Sequence, residues 1–441
     1  MRTTPLVSGP DALRNAVQFG QDPLSFLDTL REESDGAVRA RFGVGPSLLF
    51  VTDPQAVERI LVDEQDTFWR PDILSSRTEA LTANGLIQSD GEIWERQRSR
   101  LQPLFGVDRL ESYVDTIGAI TETVLSTWNP GETVSLYEEM STITVRVIAQ
   151  ELLGQELSDS EIERIQQTSA AVAREFTMSP VALLRQILPT PPSQEYRAAI
   201  DDMHSWAEAV IAEYRNGEQS DAHNLVTVML AAEEEPGTEL EPNLIRDEVL
   251  TFLFAGYETT ALTLSFALWF CSRQPELADR IRTETREAAG NDTLEWSDFP
   301  ELTTAKRVVN ETLRLRPASW GLLREARSDA QLSDVAVRDG DFLMLPQWTL
   351  HRDARFFTNP ETFDPARWRD RGPNQTQAYF PFGAGPQSCI GGRLATTEAT
   401  LVLASVLRDY EVKTTTEAVN NLRVAGVLRP RDGVPATLTQ T

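Results

Sequence analysis

The sequence predicts a large soluble protein organised around one long, buried central helix, and three observations carry this. The run Val249–Cys271, VLTFLFAGYETTALTLSFALWFC, is long enough to cross a bilayer. Glu258 stands near its middle, however, where a membrane would make a carboxylate expensive. A helix that is apolar on all sides with a polar centre is the interior helix of a globular protein. Boundary signals agree, with Glu241-Pro242-Asn243 before the run and Gln274-Pro275 after it. Finally, no Gly/Ser-rich linker or internal repeat divides the 441 residues, and 41% hydrophobic residues are ample for a large core.

The centre of this helix reads Ala255-Gly256-Tyr257-Glu258-Thr259-Thr260. Gly256 carries no side chain, so a diatomic ligand can sit against the helix. A threonine competes for backbone carbonyls and can bend a helix. Kink and missing side chain together would open an oxygen pocket. Thr259 then supplies a hydroxyl beside bound oxygen or a water, and Glu258 relays protons from solvent.

Farther on lies Phe382-Gly383-Ala384-Gly385-Pro386-Gln387-Ser388-Cys389-Ile390-Gly391. A lone cysteine is usually a small buried hydrophobe. This one has an aromatic seven residues before it, a glycine four before and a glycine two after. That layout suits a thiolate binding iron from a tight loop. Phe382 screens the sulfur, and Gly385 lets the backbone turn so that N–H groups point at it. Gly391 lets the next helix start close beneath a flat ligand. A thiolate ligand on haem pushes electron density toward bound dioxygen and favours O–O cleavage, so the expected activity is oxygen activation, with Cys389 as metal ligand.

The spacing resembles the signature of the cytochrome P450 family, the haem-thiolate monooxygenases. Further motifs recur in the expected order from about Trp94 to the C-terminus. The resemblance implies a mainly α, single-domain fold over residues 1–441, with a long central helix and small β-sheets, and haem b (iron protoporphyrin IX) as cofactor. Its Glu-x-x-Arg is Glu311 and Arg314, which share a helical face. Arg367 completes a buried charge cluster with a folding and haem-retention role. Trp94 and Arg98, four apart on one face, match the family's partners for the haem carboxylates. Arg324 matches another such arginine, and His351 falls at a further position near the haem. One departure is Gln387, where the family usually has Arg or His. It carries no charge, so carboxylate anchoring leans on Arg98 and Arg324.

The acid–alcohol pair Glu258 and Thr259 favours reductive activation of dioxygen over peroxide-driven chemistry. A non-catalytic haem protein, either a gas sensor or an electron carrier, is the competing class, and it has no need for that pair. No flavin or iron–sulfur domain follows the cysteine loop, so electrons should come from a separate ferredoxin-type protein. Arg96, Arg98, Arg100 and Arg393 would steer it. By family position the substrate pocket draws on Ile73–Ile87, Phe176–Leu188, Leu253, Ser319–Leu322 and Val427-Leu428. These stretches are largely apolar, which suits a fatty acyl or isoprenoid compound. Segments at Met178–Leu184 and Leu428–Pro435 look similar to a carotenoid-hydroxylating branch.

Lys+Arg number 41 and Asp+Glu 67, a net charge of −26. Lys306 and Lys413 are the only lysines. Such a surface disfavours nucleic acid and anionic membranes as partners and looks like that of a halophile's protein. Two cysteines form no disulfide framework. The N-terminus has no apolar stretch to act as anchor, so the expected location is the cytoplasm. If the acidic surface is an adaptation to salt, thermal unfolding should shift upward between roughly 0.1 and 1 M salt, as the screening length falls from about 10 to 3 Å. Equal melting temperatures at both ends would remove the halophile expectation.

Overall fold

The computed structural model describes residues 10–33, 36–42, 47–71, 80–177, 192–217, 223–236, 240–332, 335–370, 372, 376–415, 419 and 421–441. The central helix runs Leu244–Arg273, with Asn243 before it in the left-handed region at φ 64° and Gln274 after it. Asp247 in its first turn and Arg273 in its last complement the helix dipole. The helix is long and apolar enough to cross a membrane, but 72% of its most apolar stretch is buried inside the protein. Its neighbours include Leu136–Leu153, Gln194–Arg215, Thr303–Leu315 and Gly392–Asp409. These helices share one large core that includes Ile148, Phe252, Leu253, Leu264, Leu313 and Leu403.

Three threonine hydroxyls in the middle of the central helix are satisfied within it. Thr259 donates to the Ala255 carbonyl at 3.0 Å, Thr260 to Gly256 at 3.1 Å and Thr263 to Thr259 at 2.8 Å. The element nevertheless stays α-helical throughout. The kink expected at the threonines therefore does not break the helix.

The sheets are small, as expected. The largest has five strands, in the order Ala37–Arg41, Ser47–Val51, Phe342–Leu345, Leu322–Ala326 and Phe68–Trp69. The short edge strand pairs antiparallel, with Phe68 opposite Ala326 and Trp69 opposite Glu325. Near the C-terminus, Leu422–Val424 and Leu428–Pro430 form a separate hairpin.

Two buried carboxylates strap the 84–86 segment to the start of the central helix. The Asn84 N–H donates to Asp247 at 3.1 Å, and the Leu86 N–H to Glu248 at 3.0 Å. Between them Gly85 passes so close that a Cβ would collide with Thr251 Oγ1. Burial pushes Glu248 up to about 8, with the neighbouring Asp247 charge adding to the shift.

Beneath the core, Glu311 is fully buried and accepts five hydrogen bonds. They come from Arg314 Nε and Nη2 (2.9 and 2.8 Å), Arg367 Nε (2.9 Å), Trp368 Nε1 (2.9 Å) and the Asp364 N–H (2.9 Å). Arg314, also fully buried, donates to the carbonyls of His351 (2.8 Å), Pro360 (2.6 Å) and Thr362 (3.1 Å). The cluster thus pins the chain from 351 to 368 onto the Thr303–Leu315 helix.

Replacing Glu311 by Gln leaves two arginines short of a counter-charge. This should cost about 3–5 kcal/mol, read as a lowered urea midpoint. An unchanged midpoint would remove the cluster's structural role. Glu248 has a folded value above its usual 4.5, so its neutral form is the stabilising one. That contribution is full below about pH 4.5 and lost as pH rises through about 8. In Glu248→Gln the corresponding decline, about 1.4 kcal/mol per pH unit at its steepest, should disappear.

Candidate active site

The cysteine loop is built on close backbone approach. Gly385 has φ +69°, and a Cβ there would collide with the Leu61 carbonyl oxygen. Only glycine satisfies both demands. The Cys389 N–H donates to the Phe382 carbonyl at 2.8 Å and the Ser388 N–H to the Gly385 carbonyl at 3.0 Å, which closes the loop on itself. The Phe382 ring covers the start of the Gly392–Asp409 helix, where a Cβ on Gly392 would meet its Cγ at 3.1 Å. Gly391 is less constrained by the protein, since a Cβ there would meet the Phe105 ring at 3.6 Å, an ordinary contact.

Cys389 presents accessible surface, yet its thiol is raised by desolvation, with the Gly391 N–H and Arg98 pulling it back down. The other cysteine, Cys271, is free, fully buried and pushed up to about 12 by burial, as suits a core residue.

On one flank of the loop, Arg98 donates to the Ser388 carbonyl at 2.9 Å. It comes from the Gly91–Leu101 helix, which also carries Trp94. Trp94 is buried and its Nε1 has no acceptor among the described residues. Arg324 is buried, donating to the Leu323 carbonyl at 2.8 Å, and burial lowers it to about 10. Both amide atoms of Gln387 are buried without partners among the described residues. The flank therefore holds cations and donors in want of acceptors, as two carboxylates of a porphyrin would require.

His351 does not join this group. It is fully buried in the charge-cluster layer, where its Nε2 accepts from the Phe380 N–H at 3.1 Å. Its ring packs on Tyr379 and Phe380. Burial first, then Arg352 and Arg314, lower it to about 3, so it is neutral.

On the central helix, Ala255 is exposed and Thr259 half-buried, one turn apart on the same face. Gly256 serves differently from expectation. A Cβ there would meet Ile148 Cδ1 at 2.8 Å, so its missing side chain admits the neighbouring Leu136–Leu153 helix. Glu258 is buried and turned into a separate nest. It accepts from Ser169 Oγ at 2.7 Å and pairs with Arg429 of the C-terminal hairpin. Arg429 in turn donates to Ser169 Oγ at 2.6 Å. Ser169 lies on the Asp159–Glu175 helix. Sequence reasoning missed Ser169, Trp368 and Arg429 because each partner is distant in the chain.

Of the expected pocket segments, 72–79 and 178–191 lie outside the described residues. Leu253 and Leu428 are fully buried in core clusters and line no cleft, whereas Ser319, Gly321, Leu322 and Val427 keep some accessible surface.

The cytochrome P450 family model matches residues 11–434. The chain is 29% identical to cyclooctat-9-en-7-ol 5-monooxygenase of Streptomyces melanosporofaciens, over 91% of this chain and 87% of that one. It is also 29% identical to pentalenene oxygenase of Streptomyces avermitilis, over 95% and 93%. The crystal structure of a 6-coordinated cytochrome P450 from Thermus thermophilus superposes with a TM-score of 0.73 and 22% identity, covering 95% of this chain and 98% of that one. A family match over nearly the whole length agrees with a glycine-shaped cysteine loop, acceptor-seeking donors beside it and a mainly α single-domain fold. The chain belongs to the cytochrome P450 family and is a haem-dependent monooxygenase.

Proposed function

We propose that this monooxygenase hydroxylates an apolar isoprenoid-type compound, taking electrons from a separate ferredoxin-type protein. The observation that carries the chemistry is Cys389, held with accessible surface in a closed loop that only glycine at 385 permits. When bound, haem supplies the reductive activation of dioxygen. Cys389 would ligate its iron as thiolate. The Gly391 N–H and the Arg98 guanidinium stabilise the negative sulfur that burial opposes. Trp94, Arg98 and Arg324 would hold the carboxylates.

Thr259 would keep a proton donor beside the reacting oxygen. Its hydroxyl donates to the Ala255 carbonyl, so its lone pairs are free to accept from water. Glu258, the adjacent residue, would serve as proton relay by leaving its pair with Arg429 and Ser169. The relatives named for pentalenene and cyclooctat-9-en-7-ol are terpene oxygenases, which supports an isoprenoid substrate. A donor protein would meet the exposed Arg96 and Arg393. Arg96 is paired with Glu92 at 3.6 Å, and Arg100 with Glu235 at 2.9 Å, so steering would rest on a partly neutralised surface. A cytoplasmic location belongs to the same proposal, supported by two cysteines that are both free.

The reduced protein under carbon monoxide should show the red-shifted Soret band of sulfur opposite the gas, and its absence would remove the thiolate assignment. Cyclic terpenes and carotenoids should displace the Soret band on binding, and indifference to the whole apolar panel would favour a sensor. In Thr259→Ala, product formed per dioxygen consumed should fall by about ten- to a hundredfold, the lower range for losing a positioned proton donor. Unchanged coupling would remove Thr259 from proton handling.

A further inference from the structure

The terminal hairpin has two unlike faces. Its pairs are Leu422 opposite Pro430, Arg423 opposite Arg429 and Val424 opposite Leu428. The Arg431 N–H donates to the Asn421 carbonyl at 2.9 Å and carries the ladder on. Side chains alternate along a strand. Arg423, Arg429 and Arg431 therefore share one face, and Leu422, Val424 and Leu428 pack with a core cluster on the other. Like charges directly opposite each other on a strand pair destabilise it. The Asp159–Glu175 helix adds a fourth cation: Arg429 reaches Ser169 on that helix, and Arg174 lies in its last turn.

Only one of these four arginines is firmly neutralised. Arg429 is taken up by Glu258. Arg174 pairs with Glu195, but both side chains are more than half exposed, so the pair holds little. Arg431 donates weakly to the Leu422 carbonyl, at 3.4 Å. Arg423 is half-buried and has no ion pair or side-chain hydrogen bond among the described residues. Burial first, then Arg431, Arg429 and Arg174, weaken its hold on a proton, and no carboxylate stands among those neighbours. Asp432, close by in the chain, accepts from Asn421 at 3.3 Å. A chain with 67 acids and 41 bases thus gathers cations here without matching acids.

The same hairpin reaches the expected substrate region at its tip. Val427 keeps accessible surface there, two residues or about 7 Å along the strand from Arg429. The Leu428 N–H donates to the Ala318 carbonyl at 3.0 Å, and Trp320 Nε1 to the Ala425 carbonyl at 2.8 Å. The tip is thereby fixed beside Ser319, Gly321 and Leu322, which also keep accessible surface. We propose that the cationic face of the terminal hairpin, centred on Arg423, takes the anionic head group of an otherwise apolar substrate, whose body runs along the hairpin to its tip. A carboxylate or a phosphate ester has the paired oxygens that a guanidinium forks. A polyanion or an anionic membrane would meet the net charge of −26. One acid group on an apolar body need reach only this place. Oxygen is then inserted far from the acid end of the molecule.

This inference deepens the apolar-substrate reading above and rests on it. The test titrates the holoenzyme, at one fixed salt concentration, with matched compounds and follows the Soret band. The compounds are geranylgeraniol, geranylgeranoic acid and geranylgeranyl phosphate, with hexadecanol and hexadecanoic acid as a straight-chain pair. In the wild type an acidic member should bind about tenfold more tightly than its alcohol, the scale of one charge-assisted hydrogen bond. Whether the acid or the phosphate gains more names the head group. Arg423→Gln should bring acid and alcohol within about twofold of each other by weakening the acid alone, and Arg423→Lys should keep most of the preference. Because Arg423→Gln relieves a repulsion, its thermal midpoint should not fall. If it does not accumulate, Arg431→Gln is read instead and should cut the preference severalfold. No preference in the wild type, or one that survives both substitutions to Gln, overturns the proposal. Binding of every compound without preference would leave the apolar-substrate reading standing and remove this one. An Arg423-dependent preference confined to hexadecanoic acid would uphold this one and remove the isoprenoid reading. Silence from all five compounds removes both.

Discussion

Holding an anionic sulfur inside a protein is the constraint to which the rest of this structure answers. Burial disfavours the thiolate, and only a few groups oppose it: the Gly391 N–H and the positive field of Arg98. Each must be held in place by something farther out. Arg98 is fixed by its bond to the Ser388 carbonyl, and the loop is fixed by the contact of Gly385 with the Leu61 carbonyl. The layer below is held by Glu311 and its five donors. Positional accuracy at the sulfur is thus inherited from polar groups whose own partners are saturated.

Much of this was legible in the sequence because the relevant constraints are local. Gly385 and Cys389 belong to one short loop, and Glu311 and Arg314 to one helical turn. The central helix announced itself through length and apolar content, and Glu258 ruled against a membrane span. Nothing in the spacing says that the Trp368 indole would reach the same carboxylate as Arg367.

Other residues have neighbours that the sequence could not show, for a common reason: the chain gives which side chain is present, not which neighbour uses it. Gly256 is small where Ile148 needs the space. His351 sits at a familiar interval, but it faces the Phe380 backbone and two arginines, so it remains neutral and buried. Glu258 follows the motif, yet its carboxylate is claimed by Arg429 and Ser169, each far away in the chain and on opposite sides of it.

The nest around Glu258 has a mechanical consequence. Three segments that are remote along the chain (the Asp159–Glu175 helix, the central helix and the terminal hairpin) are riveted at one dry point. Shearing any one of them away from the other two would strand an ion in the interior, a penalty of several kcal/mol. On that side the molecule therefore behaves as a single stiff plate.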